Sequence, residues 1–147
     1  MMRWTAFLCR LAVGGIFVYA CLDKIQHPQA FAVDIHNYRL VPWALLHPWA
    51  HYLPVLEATA GLALVLGVAR RGAALVLGGL TVVFIVAIAM ALLRGLDISC
   101  GCFDTDGGHG VGLDLLLRDL VLLLACLPPL LVRDSGPALE QLWRGRP

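Results

Sequence analysis

Four stretches of this chain, roughly 5–25, 49–69, 72–93 and 111–132, are dominated by apolar residues, and each is about twenty residues long. That length constrains the fold more than any motif does. About 20 apolar residues in helical form cross a hydrocarbon layer ~30 Å thick. Inside lipid the backbone must satisfy its own hydrogen bonds, which leaves helices or closed barrels. The sequence therefore predicts an all-α membrane protein, a bundle of four transmembrane helices over residues 1–132, with a cytoplasmic tail over 133–147. Composition agrees. The 147 residues are 60% hydrophobic and 14% charged, against about 45–50% and about 25% in soluble domains. A net charge of +1 gives no footprint for nucleic acid, and no zinc-ribbon spacing or glycine-rich phosphate loop is present.

The first stretch also admits a secretory signal, with Arg3 and Arg10 as its basic start and Val18-Tyr19-Ala20-Cys21 as a cleavage site. Tyr19 fits that site poorly and the apolar run is long, so the stretch reads as a retained helix. Orientation follows from the basic residues. Seven (Arg3, Arg10, Arg70, Arg71, Arg133, Arg144, Arg146) flank one side, and four (Lys24, Arg39, Arg94, Arg118) lie toward the other. The positive-inside rule puts both termini and the Arg70-Arg71 turn in the cytoplasm. Segments 26–48 and 95–110 then lie outside, in the periplasm of a bacterium, where disulfides persist. All five histidines fall on or near that face. Trp4 and Trp143 fit one aromatic belt, and Trp43 and Trp49 the other.

Within segment 26–48, Phe31, Ile35 and Tyr38 recur at i, i+4 and i+7. This spacing predicts a short helix lying on the bilayer surface, broken by Pro42 and Pro48. The second long helix should begin near Trp49, carry Pro54, Glu57, Gly61 and Leu64, and end at Gly67 and Arg70-Arg71. Gly72 should open the third. Gly61, Gly78 and Gly79 should allow close helix contacts. The fourth should open with Asp114, Arg118 and Asp119 and break at Pro128-Pro129. Asp114 and Arg118, at i and i+4, can pair.

Several residues could carry chemistry. Cys100 and Cys102 flank Gly101 in a break between apolar runs. Two extended residues span about 6.6–7 Å, whereas a disulfide prefers Cα atoms about 5.5–6 Å apart. Gly101 lets the chain bend to close a small, strained ring, and strained exposed disulfides exchange readily. Redox exchange, metal binding and a structural bond are all compatible with the pair. Glu57 lies about two turns inside its helix, and an intramembrane carboxylate points to function. It can pair with Lys24 at similar depth, handle protons, or do both. Arg118 and Asp119 are adjacent and point about 100° apart, so at least one should face another helix, in a structural role or positioning the cysteine loop or an anion. Cys21, one turn from Lys24, reads as an inert buried thiol or a resolving cysteine. Cys9 and Cys126 read as packing residues.

Lys24 closing the first helix, Pro28 after it, Pro54-x-x-Glu57 with Gly61 and Gly67, Ser99-Cys100-Gly101-Cys102-Phe103, and Arg118-Asp119 with the following leucines form a pattern. Over roughly residues 11–131 it resembles the DoxX-like superfamily and, within it, the MauE (methylamine-utilisation) branch. The resemblance implies a four-helix inner-membrane bundle associated with maturation of a disulfide-rich periplasmic enzyme subunit, alongside a thioredoxin-like partner. The chain departs from the family pattern at Asp104, where members often have glycine. Asp104 and Asp106 make the loop acidic, which disfavours thiolate.

The resulting expectation is an inner-membrane thiol–disulfide redox protein. One cysteine of Cys100 and Cys102 exchanges with a periplasmic thioredoxin-like protein or disulfide-containing substrate, and the other resolves the mixed disulfide. Lys24, Glu57, Gly101, Phe103, Arg118, Asp119 and Cys21 support the pair. By analogy with other four-helix oxidases, a membrane quinone is the electron partner to consider, although those enzymes use a second cysteine pair and only Cys21 is available here. Two other readings remain. One is metal handling through Cys100, Cys102 and His109, where thiolates favour Cu(I) or zinc. The other is a non-catalytic subunit that docks a periplasmic redox partner.

Overall fold

The computed structural model describes residues 2–95 and 113–132. These form five helices: α1 (Met2–Gln26), α2 (Pro28–Asn37), α3 (Trp43–Leu66), α4 (Arg70–Leu93) and α5 (Leu113–Leu131). The four long helices close into a ring. α1 packs on α3, α3 on α4, α4 on α5 and α5 back on α1, while α2 lies against α3 and α1. One end of the bundle is marked by α2, the other by the short α3–α4 turn.

Among the described residues, three helices are long and apolar enough to cross a membrane: Trp4–Gln26, Trp43–Leu66 and Arg70–Leu93. The fourth predicted crossing, α5, has 19 residues and carries Asp114, Arg118 and Asp119, and these charges set it apart from the other three. Large apolar side chains face outward on every long helix, among them Leu8, Leu22, Leu62, Leu75, Val83, Val121 and Leu124. In water so continuous an apolar exterior would drive association. Against lipid tails it is matched to its solvent.

The predicted short helix is present as α2, with Pro28 in its first turn, where the missing N–H does no harm. Its apolar face is turned onto protein: Phe31 and Ala32 pack with Ala50, flanked by Ile35 and Leu53. Four expectations need correction. α3 begins at Trp43 and holds both Pro48 and Pro54 inside it, so Pro48 does not break the chain. α4 begins at Arg70, so the two arginines open that helix rather than end α3. α5 passes through Pro128 and Pro129 to Leu131, with Val132 N–H bonded to Pro128 O at 2.9 Å. Membrane helices tolerate proline because neighbours and local adjustment satisfy the freed carbonyls.

The fourth correction concerns the glycines. Gly61 does mark the closest helix approach, but its partner is Gly14, and α1 and α3 cross there. A Cβ at Gly14 would stand 2.8 Å from Gly61 O and 2.6 Å from Val65 Cγ2. Gly78 faces Cys126 and Leu123 at ordinary contact distance, and Gly79 faces open space.

The α3–α4 turn is a three-residue connection. Gly67, at φ 75°, donates to Leu64 O, and Val68 donates to Ala63 O at 2.9 Å. This is the paired bonding that ends a helix through a left-handed residue. Toward this end lies an apolar cluster of Val13, Phe17, Ala60, Leu64, Ala73, Ala74, Leu77 and Cys126. Toward the α2 end, Tyr38, Ala87, Ile88 and Ala91 pack with Leu115 and Leu116. Residues 133–147, expected as a tail, lie outside the described residues.

Candidate functional site

Between these clusters the bundle interior is polar. Near the end of α1, Lys24 Nζ donates to Glu57 Oε2 of α3 at 2.8 Å, with the two side chains 4% and 1% exposed. The antiparallel run of the two helices sets this register, since Lys24 and Glu57 are the rare charges of their apolar faces and meet at one depth. The expected pairing is therefore present. The Lys24 ammonium also sits over two aromatic rings, Phe31 of α2 at 5.1 Å and Phe84 of α4 at 5.2 Å. Ring faces attract a cation, more so when it is desolvated. They replace part of the hydration that burial removes.

Cys21, one turn before Lys24, is fully buried and donates its thiol to Glu57 Oε2 at 3.4 Å. Glu57 Oε2 thus takes two donors. Glu57 Oε1 is buried and has no hydrogen-bond partner among the described residues.

On α5, Arg118 donates from Nε and Nη2 to Asp119 Oδ1 at 3.2 and 3.1 Å. The two neighbours, expected to point about 100° apart with at least one facing another helix, contact each other, and Asp119 is buried in the bundle. The long arginine side chain folds back across the 100° between them. Arg118 turns to Asp119, while Asp114 stands exposed in the first turn. The two sequence-predicted polar groups also come together. Lys24, Glu57, Arg118 and Asp119 line one partly open cavity, together with Phe17, Ala20, Thr81, Phe84 and Leu122. Asp119 is 6% exposed and Arg118 33%, so the arginine forms the rim.

Sequence reasoning missed Thr81 and Phe84. A single hydroxyl inside an apolar run was the available signal for Thr81, which is buried and donates to Leu77 O at 2.8 Å. Phe84 carries no distinguishing signal. Cys126 belongs to the apolar cluster, in keeping with a packing role. Cys100, Gly101, Cys102, Phe103 and His109 lie outside the described residues. So do the disulfide and metal readings that depend on them.

Comparison with known proteins places the chain in a family. Residues 2–132 match the family model described as methylamine utilisation protein MauE. A methylamine utilization protein MauE from Paracoccus denitrificans is 36% identical over 114 residues, covering 77% of this chain and 61% of that protein. One from Methylorubrum extorquens is 42% identical over 85 residues, covering 57% and 46%. One from Methylophilus methylotrophus is 35% identical over 98 residues, covering 66% and 52%. The chain thus spans about half to three-fifths of the length of the curated relatives it matches. No solved structure matches it. With the family model matching residues 2–132, which hold all five described helices, this chain belongs to the MauE family.

Proposed function

We propose that this chain is an inner-membrane thiol–disulfide redox protein of methylamine utilisation, supporting disulfide formation or maturation of a periplasmic partner through Cys100 and Cys102. In this reading α1, α3, α4 and α5 all cross the membrane, both termini are cytoplasmic and segment 95–110 is periplasmic. The observation that carries it is the convergence of Lys24, Glu57, Arg118 and Asp119 on one cavity. Four buried or half-buried charges gathered at one place in a largely apolar bundle are expensive to keep and add little net stability. They mark a working end of the molecule. The cysteine segment joins the end of α4 to the start of α5, at the end that holds α2 and the close of α1.

The exchange balances simply. A Cys100–Cys102 disulfide accepts two electrons and two protons from a partner dithiol, leaving two thiols here and a disulfide on the partner. One cysteine is attacked and leaves as thiolate, and the other resolves the mixed disulfide. Regenerating the pair takes a two-electron acceptor, for which a membrane quinone is the chemical class in keeping with the location. The thioredoxin-like partner is part of the same reading.

Trapping tests it. Of the Cys100→Ser and Cys102→Ser variants, expressed in methylamine-grown cells, the one that keeps the attacked cysteine should hold a partner in a mixed disulfide that reductant releases. The other should hold little or none. A membrane-impermeant thiol reagent should label the pair in intact spheroplasts after reduction. If neither variant traps a protein and both support growth as the unaltered chain does, the pair is dispensable and the chain acts as a docking subunit. Labelling only after the membrane is broken would refute the orientation.

A further inference from the structure

The cavity between the two ion pairs has a volume of about 20 Å³. That exceeds the ~10–15 Å³ a single water needs, provided two to four polar partners are present. They are. Glu57 Oε1 is fully buried with no partner among the described residues, and a carboxylate oxygen in that position calls for a donor. The Thr81 hydroxyl gives its hydrogen to Leu77 O and keeps its lone pairs as acceptors. Asp119 adds a carboxylate. A water there would find acceptors in Glu57 Oε1, Asp119 and the Thr81 hydroxyl.

We propose that this cavity binds one internal water that joins the Glu57 and Asp119 carboxylates into a single proton-sharing unit. A proton on Asp119 passes to the water as the water releases one of its own to Glu57. The net change is one proton moved from α5 to α3, with no electron transferred and no bond left broken. Asp119 stands beside the half-exposed Arg118 and is the outer member, and Glu57 is the inner one. The groups facing Glu57 are Lys24 and Cys21 on α1, Arg118 and Asp119 on α5 and the Thr81 hydroxyl on α4. From α2 comes the Phe31 ring over Lys24, and Asp34 is also buried on that helix. Each carboxylate already has one cation, Lys24 for Glu57 and Arg118 for Asp119. A proton added to the unit is shared between the two sites. This inference does not depend on the chemistry of Cys100 and Cys102.

Glutamate occurs only twice in the chain, at 57 and 140, which makes the test direct. With Glu140→Gln as background and glutamate labelled with ¹³C at its side-chain carboxyl, the single resonance of Glu57 is titrated in the full chain in lipid nanodiscs. Asp119→Asn should move its midpoint by more than about one pH unit, the mark of strongly coupled sites. Infrared difference spectra of the otherwise unaltered chain should contain a water O–H band that shifts in H₂¹⁸O and follows the same titration. Thr81→Val, which changes no charge, should abolish or displace that band. A midpoint that moves less, or the lack of any H₂¹⁸O-sensitive band tracking Glu57, overturns the proposal. The water band needs no charge-changing variant, so the test stands even if Asp119→Asn does not fold.

Discussion

The α1–α3 seam and the α4–α5 seam hold the same bundle together by different means. Across the first, two helices meet at a buried ion pair and at a backbone crossing between Gly14 and Gly61. Each contact admits one register. Across the second, Ala87, Ile88 and Ala91 of α4 meet Leu115 and Leu116 of α5, and Gly78 meets Cys126 and Leu123 at ordinary distance. These are dispersion contacts that a small slide would redistribute. Lipid tails are as apolar as leucine, so helices in a membrane gain little from hydrophobicity alone. The rigid seam is the one that ends in the Lys24–Glu57 site, and the adaptable one carries the cysteine segment between its two helices.

Substitutions should separate the two seams by sign as well as size. The largest effect is expected at the ion pair. Glu57→Gln leaves the Lys24 ammonium buried without its carboxylate, and breaking a buried pair from one side is destabilising by about 3–5 kcal/mol. Thermal unfolding of purified protein in detergent should show it, and folded yield should fall. Adding Lys24→Met should recover part of the loss, since the stranded charge is gone. Strict additivity of the two changes would mean that the pair contributes no coupling.

Next comes the crossing. Gly14→Ala places a methyl 2.6–2.8 Å from Val65 and the Gly61 carbonyl, with backbone on one side unable to give way. Overpacking of this kind costs about 1–3 kcal/mol, read in the same unfolding assay. The smallest effect belongs to the other seam. Gly78→Ala meets its nearest atoms at 3.8 and 3.9 Å, so the helix-propensity gain of alanine, up to about 1 kcal/mol, should appear as a slightly raised melting temperature. If both alanine variants shift stability the same way, the distinction between the seams is wrong.

Much of this was legible in the sequence because charge is scarce in it. Lys24 and Glu57 are rare charges in apolar runs of matching depth, so their meeting followed from topology alone. The Arg118–Asp119 contact did not follow, because helical angles describe where Cβ points and not where a long flexible side chain ends. Gly14 escaped notice while Gly79 was credited. Periodicity locates a glycine on its own helix but not the neighbour it faces. Pro48 looked like a boundary, and only the packing of Leu46 and Ala50 in the protein interior shows the helix running through it. The convergence of the two polar groups on one cavity required the ring order of helices, which no local pattern encodes.

The three-residue turn between α3 and α4 carries an electrostatic cost. Gly67, Val68 and Ala69 leave little slack, so the two helices form one hairpin. Arg70 and Arg71 open α4 at the end where the helix dipole is positive, a placement that opposes helix stability by about 0.3–1 kcal/mol per charge. Aspartate or glutamate would suit the dipole better. Both limbs of the hairpin are long and apolar enough to cross a membrane, so charge at its tip favours water over hydrocarbon there.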